Sequence, residues 1–201
     1  IVDIDDASLA RIGRWPWPRE RLAALADELF ERQRAAVVGF DMVFSEPEAG
    51  DAVLARALAG RPAVLGYFLA DGPSAPRTGV LPAPVFTGGE LGSMRWRGHV
   101  ANVAPLAEAA PAAGFFNALP DGDGVVRRLP LVADFGGGAR ESLVLAMLRL
   151  HAGSPQVRPL AGAIELEQAG TSLRLAIDAD GARRVPYRGP GGATGGSFDY
   201  L

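Results

Sequence analysis

The chain opens on the apolar run Ile1-Val2-Asp3-Ile4, and this pattern predicts a short buried strand over Ile1 to Asp5. Asp5 or Asp6 then stands as N-cap of a brief helix carrying Leu9 and Ile12, stopped by Gly13. Trp15-Pro16-Trp17-Pro18 cannot be helical before its second proline, so it offers two aromatic rings on a stiff ribbon. From Arg19 to about Arg34, Leu22, Leu25, Ala26, Leu29 and Phe30 recur at helical spacing and give one stripe to bury. Ala36 to Phe44 is nearly all apolar, as in a strand covered on both faces. Strand, helix and strand imply a right-handed parallel crossover. After Pro47 a helix through Val53, Leu54 and Leu58 ends at Gly60, and Ala63 to Leu69 makes a third strand.

Prolines at 73, 76, 82, 84, 105 and 111 punctuate residues 70–113, which read as a long loop-rich excursion holding short elements between Glu90 and Val103. Gly114 to Leu119 and Val125 to Phe135 flank Pro120-Asp121-Gly122-Asp123-Gly124, and the Asp-Gly pairs predict an antiparallel hairpin. Ser142 to Ala152 is an amphipathic helix. Beyond Pro155, short strands are expected at Ala163 to Glu167, Ser172 to Ile177 and Arg184 to Arg188, with Asp178-Ala179-Asp180-Gly181 turning the second into the third. A flexible tail over Gly189 to Gly196 closes the sequence. The prediction is one α/β domain over residues 1–201. Its mixed central sheet is parallel in the N-terminal βαβ part and continued by antiparallel hairpins, with helices on both faces.

The 201 residues carry 20 basic and 23 acidic side chains for a net charge of −3, so no broad basic surface awaits nucleic acid. Every cation is arginine. Without lysine there is no P-loop lysine or Schiff-base lysine, and without cysteine there is no thiol nucleophile or thiolate metal ligand. No stretch approaches the about 18 apolar residues that span a bilayer. The absence of an initiator Met and of a signal-peptide pattern leads us to expect a segment of a longer protein.

Several runs, in order and over nearly the whole chain, resemble the second type of CHASE domain, a sensory module found outside the membrane in bacterial receptors. They are Ile4-Asp5-Asp6-Ala7-Ser8-Leu9, Gly13-Arg14-Trp15-Pro16-Trp17-Pro18-Arg19, and Gly39-Phe40-Asp41-Met42-Val43-Phe44 with Glu46-Pro47. Downstream come Gly114, Asn117, Pro120-Asp121, Asp123-Gly124 with Arg127-Arg128, then Glu141-Ser142-Leu143 and Tyr187-Arg188-Gly189-Pro190. Residues 70–113 carry no match. The resemblance implies a non-catalytic extracytoplasmic, periplasmic sensor without a cofactor. It would be anchored through flanking membrane helices, work as a homodimer, and be joined to a cyclase or kinase output.

Asp3, Asp5, Asp6 and Asp41 fall at or near the carboxyl ends of two strands expected to be parallel neighbours, where open α/β sheets build ligand sites. With Glu46 they could hold a cation or a basic ligand. They could equally cap and pair, with Asp5 or Asp6 capping the first helix and Arg14 or Arg19 neutralising Asp41. Trp15 and Trp17 could stack on a ligand or pack in the core. Arg19, at a helix start, opposes the dipole, and Asp41 or a bound anion would account for it. A concave site is thus expected between Asp5, Trp17, Arg19 and Asp41. Asp121 to Gly124 lacks the later acidic ligands of a calcium loop and reads as a turn. Of Arg127 and Arg128, on alternate faces of a strand, one is expected to point inward; Asn117 either bonds the turn backbone or faces a ligand.

The ligand is expected to be a small molecule or a periplasmic protein, the second making the domain a protein-interaction module. His99 and His151 are the only histidines and no Gly-x-Ser-x-Gly elbow occurs, so acyl-transfer chemistry is poorly supplied. A carboxylate-based, Mg-dependent phosphoester hydrolase built on Asp3 and Asp5 is the catalytic alternative.

Overall fold

The computed structural model describes residues 1–88 and 95–187. The expected tail and the Arg188-Gly189-Pro190 end of the last motif lie outside the described residues. From the N-terminus the elements are α1 (Asp6–Ile12), α2 (Arg19–Asp27, followed by a π-helical turn Glu28–Arg32), β1 (Val38–Phe40), α3 (Asp51–Leu58) and β2 (Ala63–Ala70). There follow β3 (Arg77–Thr78), β4 (Phe86–Thr87), β5 (Arg95–Trp96), β6 (Gly98–Val100), α4 (Ala104–Ala109), β7 (Ala112–Phe115), β8 (Arg128–Pro130), β9 (Val132–Phe135) and β10 (Gly138–Glu141). The C-terminal part holds α5 (Leu143–His151), β11 (Gln156–Leu160), β12 (Ala163–Gln168), β13 (Thr171–Ala176) and β14 (Ala182–Arg184).

Five strands form the principal sheet around β2, whose continuous apolar run is buried on both faces. Parallel partners flank its first half: β1, in register from Val38 with Ala63, and β7, from Val64 with Ala112. Its second half pairs antiparallel with β6, which takes β3 as its own parallel neighbour. Two asparagine amides complete the strand where its neighbours end. Asn117 accepts from Leu69 N–H at 2.8 Å through Oδ1 and donates to Leu69 C=O at 2.8 Å through Nδ2, continuing the ladder beyond β7. Asn102, buried, accepts from Phe44 N–H at 2.8 Å and donates to Gly66 C=O at 3.0 Å, so it ties the chain leaving β1 to the middle of β2.

Helices cover both faces. On one, α2, α3 and α4 bury Leu22, Leu54, Leu58 and Leu106 against Phe40, Phe44 and Leu65. On the other, α5 packs Leu143 and Ala146 on Val64, Ala112 and Phe116. Ser142 caps α5, its hydroxyl accepting from Leu145 N–H. The same helix sends Leu145 into a second core with Leu131, Val132, Val157, Ile164 and Leu166, beneath the sheet β4-β10-β9-β5, antiparallel except for its β5–β9 pair, and the antiparallel sheet β11-β12-β13.

The α/β class, the helices on both faces, and the positions of α1, α2, α3, β2, α5, β12 and β13 agree with the sequence pattern. Four expectations do not. Ile1 to Asp5 forms no ladder and runs as irregular chain, and the strand expected over Ala36 to Phe44 contracts to three residues. The hairpin across Asp121 to Gly124 is reduced to one bridge, Leu119 with Arg128, because residues 112–115 are taken by β2. The true hairpin of this region joins β9 to β10 over Gly136 and Gly137, at φ 67° and 80°, backbone that glycine alone adopts readily. Finally, Asp178 to Gly181 does turn, but β14 leaves β13 and pairs with β8. The proline-rich excursion holds short elements between Glu90 and Val103 as expected, β5 and β6, and beyond that window it also holds β3, β4 and α4, which the sequence pattern did not resolve.

Replacing Asn102 by leucine strands a buried N–H and a buried C=O, and we expect a loss of about 3 kcal/mol in urea unfolding against about 1 kcal/mol for Asn117→Ala at its half-buried position. Equal losses at the two sites would contradict the bridging role of Asn102.

Candidate functional site

Arg19 begins α2 at the end where the helix dipole is positive, and its side chain is only 6% exposed. A buried guanidinium there needs anions and acceptors. It has them from one loop: Nε donates to Asp51 Oδ1 at 2.9 Å, Nη2 lies 3.0 Å from Glu48 Oε1 and 3.2 Å from the Glu46 carbonyl, and the guanidinium covers the Phe44 ring at 4.5 Å. Asp51 opens α3, where a carboxylate suits the dipole, and its second oxygen accepts from Glu48 N–H at 2.9 Å. The expected partner Asp41 is not involved. It is exposed just past β1 and has no ion-pair partner among the described residues.

Asp41 instead borders a groove of about 910 Å³ that follows the free edge of β1. One wall is Leu25 and Leu29 from α2 and its π-helical turn, the other Met147 from α5; Val38, Gly39 and Phe40 make the floor. A side chain at Gly39 would meet the Met147 thioether, so Met147 would have to move out of its place in the groove wall. Residues 1–4, which the pattern predicted as a strand, lie along the far side, so the groove occupies the position a paired edge strand would fill. Trp15 closes one end, 38% exposed and edge-on to Trp17 at 5.9 Å. The side chains that line the groove are apolar except for the exposed carboxylates of Asp3 and Asp41, and the unpaired edge of β1 adds main-chain polar groups.

The residues singled out from sequence therefore separate. Asp3, Trp15 and Asp41 meet at the groove. Trp17 and Arg19 do not border it: Trp17 is a core side chain, and its Nε1 donates to Gly13 C=O at 2.8 Å, locking the end of α1. Asp5 is the cap of α1, accepting from Ser8 N–H at 2.8 Å, and Asp6 is an exposed first-turn residue. Glu46 contributes its carbonyl to Arg19 while its side chain stays exposed. Asn117 bonds β2 and not the turn. Neither Arg127 nor Arg128 points inward: Arg127 pairs with Asp121 at 3.0 Å and Asp123 at 2.8 Å, and Arg128 with Asp178 at 2.7 Å and Asp180 at 3.1 Å, so both clamp acidic turns at the surface.

A family model described as the CHASE2 domain matches residues 1–200. The chain belongs to the CHASE2 domain family. No curated protein and no solved structure matches it. CHASE2 domains are sensory, non-catalytic extracytoplasmic modules of signalling receptors. In this CHASE2 domain the Trp-Pro-Trp-Pro-Arg block and the Gly-Phe-Asp block are thereby given separate structural meanings. Trp17 and Arg19 anchor α2, while Trp15, Gly39 and Asp41 shape the groove. No helix among the described residues is long and apolar enough to cross a membrane.

Sequence reasoning missed Asn102, Met42 and Met147. Asn102 had a usable signal, an amide inside the apolar run Val100-Ala101-Asn102-Val103, because a buried amide must find partners. The methionines had none, since groove and core methionines read alike.

The Asp5 carboxyl is held below the usual aspartate range, chiefly by the Ser8 N–H it accepts from. A lowered folded-state pKa means that the cap contributes fully above the unfolded value of about 3.9 and is lost as pH falls through the folded one. We expect carboxyl NMR to show Asp5 titrating below free aspartate, with Ser8 amide protection falling over the same acid window, and Asp5→Asn to abolish that dependence while keeping α1 capped. An Asp5 midpoint at or above the free value would refute the assignment.

Proposed function

We propose that this CHASE2 domain is the ligand-receiving part of a bacterial transmembrane receptor, and that its ligand is a small molecule seated in the groove beside Asp41. The observation that carries the reading is the groove itself. Its volume lies at the upper end of the ~300–1,000 Å³ typical of small-molecule sites, it is apolar with few polar groups, and it is bordered by the segment at the N-terminal end of the domain. A ligand bound between residues 1–4 and β1 favours one placement of that segment over another, which is what a receptor needs to bias two arrangements of a homodimer. Membrane helices flanking the domain and a cyclase or kinase output would pass the change inward.

The apolar rim of Ile1, Val2 and Trp15 supports a second reading, in which a periplasmic protein docks there instead. The magnesium hydrolase alternative gains no geometric support. Asp3 and Asp5 lie on exposed chain, and no three metal-ligating side chains converge among the described residues.

An alkaline phosphatase reporter, active only after export, inserted into this segment of the native protein is expected to be active, and an active cytoplasmic reporter at the same point would defeat the proposal. For the ligand, thermal-shift screening of the domain against metabolite panels is expected to yield a compound that stabilises it by about 2.7 kcal/mol at a hundredfold over its Kd. A flat screen together with a stoichiometric co-purifying periplasmic protein would favour the second reading.

A further inference from the structure

The chemistry of the groove narrows its ligand. The side chains along it are aliphatic, aromatic and thioether groups, and its two ionisable side chains, Asp3 and Asp41, are both carboxylates. The chain carries 20 arginines and most of its acidic clusters are clamped by them, yet neither of these aspartates lies in an ion pair among the described residues. Both are exposed at the rim, so neither carries the cost of burying an unpaired ion. Of the motif's two basic residues after Gly13, Arg19 is held in the core by Asp51 and Glu48, whereas Arg14, next to Trp15, is exposed and is not among the residues that line the groove.

We infer that the groove recognises a cationic amphiphile: an apolar aliphatic or aromatic body lying along β1 between Leu25, Leu29 and Met147, with one ammonium or amidinium group placed between Asp3 and Asp41. The apolar floor supplies affinity through area removed from water, and the carboxylates select the sign of the headgroup. An anionic amphiphile of the same length meets two uncompensated negative charges. Trp15 adds an aromatic face at the end of the groove, a surface that also favours cations. The inference rests on the reading of the groove as the ligand site.

Three matched probes separate the two ideas: n-octylammonium, octan-1-ol and octanoate, each titrated into the domain at low ionic strength by calorimetry. Methyl NMR of the methionines reports the place of binding, since Met42 and Met147 line the groove. Octylammonium is expected to bind at least tenfold more tightly than octanoate, with octanol between them, and to shift the Met42 and Met147 methyls. In the Asp3→Asn, Asp41→Asn double variant, both positions being exposed, the ammonium preference is expected to vanish while octanol binding persists. Equal binding of all three probes at those methyls, or a preference that survives the double variant, overturns the charge selection and leaves the groove as a ligand site. Shifts at neither methyl with any probe overturn both.

Discussion

A single buried cation sets how charge is distributed over this domain. Arg19 must sit at the start of α2 because the proline ribbon before it fixes where that helix begins, and in that position it opposes the dipole and is cut off from water. Only a carboxylate brought from elsewhere can offset this, and Asp51 brings one from the start of α3, held in orientation by the Glu48 amide. The pair thereby docks the beginnings of two helices onto Phe44 and closes the core on that face of the sheet. With Arg19 paired to Asp51 and Glu48, Asp41 is left outside any ion pair among the described residues and stands at the groove.

The second constraint is the unequal length of β2 and its neighbours. A strand of eight residues flanked by strands of three and four leaves ladder groups exposed, and a side-chain amide on each edge takes up the deficit. Asn102 does so from within the core and in the same act fixes Phe44, so the path of residues 41–44 is tied to the sheet centre. The outer edge of β1 has no such amide. It is left to the N-terminal segment, which lies opposite without pairing, and the space between is the groove. Phe44 is thus held by hydrogen bonds to the sheet, whereas the N-terminal segment meets β1 without ladder bonds and is tied to the core only where Ile4 packs into it.

Much of the fold was legible because the relevant signals are local. The stripe Leu22, Leu25, Ala26 and Leu29, the capping aspartate at 5, the glycines at 13 and 60, and the apolar run at 63–69 each act through neighbours in sequence, and each element formed where the pattern put it. What failed depends on distant partners. Ile1-Val2-Asp3-Ile4 has strand composition but found no ladder, and residues 114–119 were expected to turn back on 125–135 when β2 had already claimed their start. The site was half legible for the same reason. Of the candidates, Trp15 and Asp41 border the groove, whereas Trp17 and Arg19, two and four residues past Trp15, belong to the core, since the ribbon passes from surface to interior between them. That Arg19 would choose a carboxylate at 51 over one at 41 is a fact of loop geometry that spacing does not encode. The family assignment needed none of this, because the motifs carry it in order along the chain.

Arg19 spends its charge on Asp51 and leaves Asp41 outside any ion pair among the described residues. A pair of double-mutant cycles, Arg19→Met with Asp51→Asn and Arg19→Met with Asp41→Asn, read by urea unfolding at neutral pH, measures it directly. We expect a coupling of about 2 kcal/mol to Asp51 and none to Asp41 beyond experimental error. A coupling to Asp41 as large as that to Asp51 would contradict it, for the groove would then carry a carboxylate already spoken for.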